Sequence, residues 1–212
     1  MWYRRAVEKL RELAAACERA KRWPADEPFL LEAYVFGDVL SGADPLDAVA
    51  VALVLNLPPG KVAWEFSPQG TQWLADELRL SKGGFAYWWR SHLNRVPNHY
   101  IRGSVRFWSR EGPDENVLQA LAERRFDDLP RVRIPAVERQ RQLAADLQAA
   151  LTHLRTVCDS YWHQNWRREH RGSGHYPEHV LWEAVHGYLD LRDAQDQAGR
   201  VAHRKPRAYC FD

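Results

Sequence analysis

Apolar residues recur at spacings of three and four along residues 2–22, at Trp2, Ala6, Leu10, Leu13 and Cys17, while Arg, Glu and Lys fill the other positions. That period predicts an amphipathic helix, which ends before Trp23-Pro24 because a residue preceding proline is pushed out of the helical region. The pattern then changes. Residues 29–36 are apolar except for Glu32, and residues 46–55 are almost continuously aliphatic, so two strands are predicted, the second buried on both faces. Between them lies 37–45, with two glycines, two aspartates and a proline, a turn-rich connector. A short helix is expected over 69–80. Residues 101–108 alternate and predict a third strand with Arg102 and Arg106 on one face. A helix over 113–126 has Asp114 and Glu115 in its first turn, where the macrodipole favours acids.

From Pro135 onward Leu143, Leu147, Leu151, Leu154, Cys158 and Tyr161 keep the helical period, so one helix of about 30 residues is expected. A Gly-Ser-Gly loop at 172–174 separates it from a last helix near 178–194, and two helices joined in this way form an antiparallel hairpin. The fold class predicted is α+β. A small mixed sheet with flanking helices occupies 1–130, a helical hairpin over 135–196 packs on it, and 197–212 is a mobile basic tail.

Composition narrows the class. With 45% hydrophobic and 27% charged residues in a chain of 212, a core can be filled without disulfides. The longest apolar run, 48–55, is far short of the roughly 20 residues a membrane helix needs, and the start is a charged helix pattern, so no membrane partner and a cytoplasmic setting are expected. Cys17, Cys158 and Cys210 lack the spacing of a zinc site and fit a reducing compartment.

The words Tyr34-Val35-Phe36-Gly37-Asp38 and, eight residues on, Asp47-Ala48-Val49-Ala50-Val51 are similar to the signature of the nucleotidyltransferase superfamily. The resemblance implies a strand ending in a small-residue turn, then a strand whose two alternate carboxylates face one way and hold two magnesium ions on a nucleotide's phosphates. Asp47 matches the first carboxylate, but Val49 stands at the second position and Asp38 replaces the small residue. The third predicted strand supplies no acid. The implied site is therefore degenerate, a pseudoenzyme with no catalytic residue, no cofactor and no metal. If active, it would use Asp38, Asp44 and Asp47 as its magnesium set. The same aspartates also fit turn and cap roles. The chain further resembles a bacterial family of uncharacterised function through Phe36-Gly37-Asp38, Leu80-Ser81-Lys82, Trp89-Arg90-Ser91 and Tyr188-Leu189-Asp190.

Between Glu77 and Glu111 there is no acid and there are seven Lys or Arg residues, in a protein whose net charge is only +2. Aromatic residues interleave with them. Guanidinium groups bind phosphates and rings stack on bases, so Lys82, Trp89, Arg90, Arg102 and Arg106 are candidate ligand-binding residues for a nucleotide or nucleic acid. Basic residues on a solvated face and rings in the core would give the same word. His175 and His179 have the i, i+4 spacing of helical metal ligands, but Pro177 lies between them. Arg168 to His175 is similar to the Arg-His pattern of helical toxins paired with minimal nucleotidyltransferases, which implies an RNase. Trp162 and Trp166 would anchor a protein partner if the chain were an interaction module. The function expected is non-catalytic binding of nucleotide or nucleic acid at a degenerate nucleotidyltransferase-like site. The alternatives are an active magnesium-dependent nucleotidyltransferase and a protein-protein module.

Overall fold

A computed structural model describes residues 1–22, 28–172 and 176–201. The linker expected around Trp23-Pro24, His175 and the tail beyond residue 201 lie outside the described residues. Helix α1 (Tyr3–Ala20) is followed by β1 (Leu30–Phe36), β2 (Val49–Leu55), α2 (Gln72–Glu77), β3 (Phe85–Ser91), β4 (Val105–Ser109), the two-residue β5 (Gly112–Pro113), α3 (Glu115–Ala122), α4 (Ala136–Ser160), α5 (Gln164–Gly172) and α6 (Pro177–Val201). The sheet order is β3-β2-β1-β4-β5. β1 is antiparallel to both β2 and β4, and β2 is parallel to β3, so the sheet is mixed and the protein is α+β.

The two strands predicted in 29–55 pair as neighbours, with Val35 opposite Val51. β2 is apolar throughout because it lies between β1 and β3 with both faces covered. Strand alternation divides its side chains. Val49, Val51, Leu53 and Leu55 join Ala33 and Val35 of β1 against α1, α2 and α3. Ala52 and Val54 join Tyr34 and Phe36 in a second core whose other side is Leu143 and Ala150 of α4 and Leu191 of α6. Helices therefore cover both faces of the sheet.

Three expectations change. Residues 85–91, read from the sequence as part of a ligand-binding belt, form the edge strand β3, with Trp89 inside the core shared with α1, α2 and α3 and Phe85 and Tyr87 packed against it. The strand expected over 101–108 begins only at Val105, so Arg102 lies outside it and does not share a strand face with Arg106. The expected long helix ends at Ser160, and α5 intervenes before α6. No described helix is long and apolar enough to cross a membrane.

Candidate functional site

At the end of β1 the chain turns through Gly37, whose φ of +75° is a left-handed conformation that a side chain would strain, and enters a short 3-10 turn. The Asp38 carbonyl accepts from Ser41 Oγ at 2.8 Å, and its side chain is exposed. Asp44 does structural work. One carboxylate oxygen accepts the Tyr3 backbone N–H at 3.1 Å, at the start of α1, and the other lies 3.4 Å from Arg124. Asp47 is exposed and precedes β2, while Val49 is fully buried. Among the described residues no group of three or more His, Cys, Asp or Glu is placed to hold a metal ion.

The basic residues disperse. Trp89 is 5% exposed and belongs to the core, which leaves no ring face for a base. Arg90 is 2% exposed and donates through both terminal nitrogens to Asp146 of α4, at 3.1 and 3.3 Å. Lys82 is exposed in the turn before β3. Arg102 is exposed and donates from Nε to the His99 carbonyl at 3.0 Å. Arg106 projects from β4 and pairs with Glu32 of β1 at 2.8 Å.

One part of the predicted belt does gather. Arg106, Arg110, His92 and Asn94 line an open cleft of about 410 Å³ together with the apolar Leu31, Val54 and Val96 and the acids Glu32 and Glu111. The position follows from topology. β1 and β4 place Glu32, Arg106 and Arg110 side by side, and the chain leaving β3 brings His92 and Asn94 to them. Arg110 lies over the Phe29 ring at 5.1 Å. A guanidinium so placed still directs its N–H donors outward.

At the other end of the same sheet face Phe36, Trp64, Trp88 and Tyr100 pack together, with ring centres 5.0 to 6.3 Å apart. Asp190 of α6 accepts from Trp64 Nε1 at 2.6 Å and lies 3.1 Å from His99 Nε2. Burial works against the Asp190 charge, yet the hydrogen bonds from His99 and Trp64 outweigh it and hold the carboxyl below its usual range. Burial pushes the Tyr100 hydroxyl up, and the charges of Asp190, Glu65 and Asp38 push it the same way. The charges of Asp190, Glu65 and Asp38 all act on Tyr100 in this corner, a field that disfavours phosphate there. Sequence reasoning missed this corner because its members are spread over about 150 residues of chain, from Phe36 to Asp190.

The histidines serve separate contacts. His186 pairs with Glu65, His170 packs at a tilt against Trp166 with ring centres 4.0 Å apart, and His179 meets the Tyr176 ring edge-on. Trp162 is 81% exposed, whereas Trp166 packs against a small apolar cluster of α4 and α6.

Comparison with known proteins adds a family and no activity. A family model described as "Domain of unknown function (DUF7711)" matches residues 1–197. No curated protein and no solved structure matches the chain.

Proposed function

Given that the chain belongs to the DUF7711 family, whose description carries no activity, we propose from the site alone that it is a non-catalytic binding protein for a nucleotide or a short single-stranded nucleic acid. The observation that carries this reading is the cleft of about 410 Å³ whose lining includes Arg106, Arg110 and His92 beside apolar Leu31, Val54 and Val96. That volume lies within the range of ordinary small-ligand sites. Arg106 shares its charge with Glu32, while Arg110 lies over a ring and, among the described residues, makes no ion pair with a carboxylate, so Arg110 is the stronger phosphate anchor. The nucleotidyltransferase-like resemblance belongs to the same proposal as a degenerate ancestry. Of its three carboxylates, that of Asp44 accepts the Tyr3 N–H at the start of α1 and pairs with Arg124, a structural role that supports binding over transfer.

The test is a fluorescence-anisotropy titration of labelled short single-stranded DNA and RNA at several salt concentrations, with a thermal-shift series for free nucleotides. Each phosphate contact to a single strand contributes about −0.7 to the slope of log affinity against log salt, so two arginines give a slope of about −1.4. Arg110→Ala is expected to halve that slope. Absence of binding at low salt, or a slope indifferent to Arg106→Ala and Arg110→Ala, rejects the reading.

A further inference from the structure

Two of the side chains lining the cleft at Arg110 are acids, and they narrow what it can hold. Glu32 accepts from the Tyr34 hydroxyl at 2.9 Å and from Arg106 at 2.8 Å, so two partners fix its carboxylate. The hydrogen bond to Glu32 holds the Arg106 guanidinium charged, and the negative charges of Glu32 and Glu111 act in the same direction. Arg106 is therefore already answered by acids. Arg110 differs. Together with Glu111 it makes the two-residue turn between Ser109 and Gly112, which pair across β4 and β5, so a tight hairpin sets its backbone. Its N–H donates to the Leu31 carbonyl at 3.2 Å, and its guanidinium lies over the Phe29 ring. The cleft thus offers one guanidinium without an ion pair among the described residues, beside two carboxylates.

We propose, on the footing of the nucleotide-binding reading above, that this cleft takes a single phosphate monoester, that of a free mononucleotide or of the end of a strand, and excludes the phosphodiesters inside a strand. A monoester carries a charge of about −1.5 to −2 at neutral pH, whereas a diester carries about −1, so one well-placed guanidinium gains more from the monoester. A monoester also needs cations at one place only. A strand laid through the cleft would bring its flanking phosphates towards Glu32 and Glu111, where like charges meet. Strand binding further needs a basic track along the backbone, and neighbouring cations are committed elsewhere. Arg90 is buried on Asp146, and Arg95 pairs with Glu138 at 2.7 Å. Lys82 precedes β3 while His92 follows it, and the seven residues between span about 20 Å. A volume of about 410 Å³, towards the lower end of small-ligand sites, suits one nucleotide unit.

Isothermal titration calorimetry on the full chain compares adenosine 5′-monophosphate with its phosphate methyl ester, which has one charge fewer, and one short oligonucleotide sequence with a 5′-phosphate, a 3′-phosphate or hydroxyls at both ends. The monophosphate is expected to bind about tenfold more tightly than its methyl ester, the worth of one charge-assisted contact. A strand should bind only through a phosphorylated end. Binding of the monophosphate with no strand binding assigns the site to free nucleotides, and binding of an end-phosphorylated strand as well assigns it to strand ends. Arg110→Ala should abolish the preference for the monoester, and Glu111→Gln should raise the affinity of the unphosphorylated strand several-fold. Both side chains are exposed in the hairpin turn, so the circular dichroism spectrum should not change. Equal affinity for the monophosphate and its methyl ester, or for phosphorylated and unphosphorylated strands, overturns the proposal and leaves the broader binding reading standing. A monoester preference that survives Arg110→Ala overturns it too, as does an unphosphorylated strand that gains nothing from Glu111→Gln. Absence of binding by all of these probes rejects the broader reading and this one with it.

Discussion

The guanidinium of Arg90 and the carboxylate of Asp146, 56 residues apart in the chain, meet at 3.1 and 3.3 Å with both side chains almost wholly removed from water. Asp146 also accepts from Asn94, Asn98 and Gln142, so all its lone pairs are engaged. Arg90 additionally donates to the Arg95 carbonyl at 2.9 Å. The pair joins strand β3 to helix α4 and thereby docks the long helices on the sheet. Removing one partner of such a pair leaves the other charged and buried, which costs about 3–5 kcal/mol. Arg90→Leu and Asp146→Leu are each expected to lose that much in urea unfolding, and the double variant should regain part of it. Singles that unfold like the wild type would show that the network carries no stability.

Burial lowers the pKa of His153 on α4 to about 4, with the Phe66 ring 4.0 Å away. The unfolded chain therefore binds a proton between about pH 6.5 and 4 that the folded chain does not, so stability rises with pH across that window and falls as the solution is acidified. The loss by pH 4 should be roughly 2–3 kcal/mol. His153→Phe is expected to flatten that part of the curve in urea midpoints measured from pH 7 to 4, and an unchanged slope would contradict the assignment.

Alanine normally stabilises a helix over glycine by about 1 kcal/mol. At Gly187 the sign should reverse, because a Cβ there would fall 2.1 Å from the Trp64 carbonyl oxygen, a backbone atom with no rotamer to retreat into. Gly187→Ala is expected to lower the melting temperature by several degrees or more.

Trp89 is a core residue, so Trp89→Ala should destabilise by about 3–5 kcal/mol. Measured well below its own melting temperature, the variant should bind single strands with wild-type affinity and salt slope. A specific loss of binding in a folded Trp89→Ala protein would return this ring to the ligand site.

With Asp44 tied to Tyr3 and Arg124 and Val49 buried at the second carboxylate position, no nucleotidyl transfer is expected, with or without magnesium, and no change on Asp47→Ala. Asp44→Ala should cost about 1–2 kcal/mol, since it removes both an α1 start contact and the Arg124 pair. Incorporation of labelled nucleotide by the wild type that vanishes in Asp47→Ala would overturn the non-catalytic reading.

The sequence by itself determined the elements with strong periods. α1, β1, β2, α4 and α6 were legible because each buries a face whose repeat is written in consecutive residues, and the Gly37 turn was legible because few residues tolerate its backbone. β3 was not. Its word, Phe-Ala-Tyr-Trp-Trp-Arg-Ser, sits in a basic stretch whose charges suggest a surface, and only the partner Asp146, brought in by α4 from outside that stretch, turns Arg90 into a core group. The same holds for the candidate cleft. Arg106 and Arg110 are four apart in sequence, but whether they face phosphate or an acid depends on Glu32 from the neighbouring strand and His92 from the chain beyond β3. Local patterns fix which residues prefer to be buried. Which charges meet depends on pairing register and helix docking, and those contacts are made between segments whose sequences carry no record of one another.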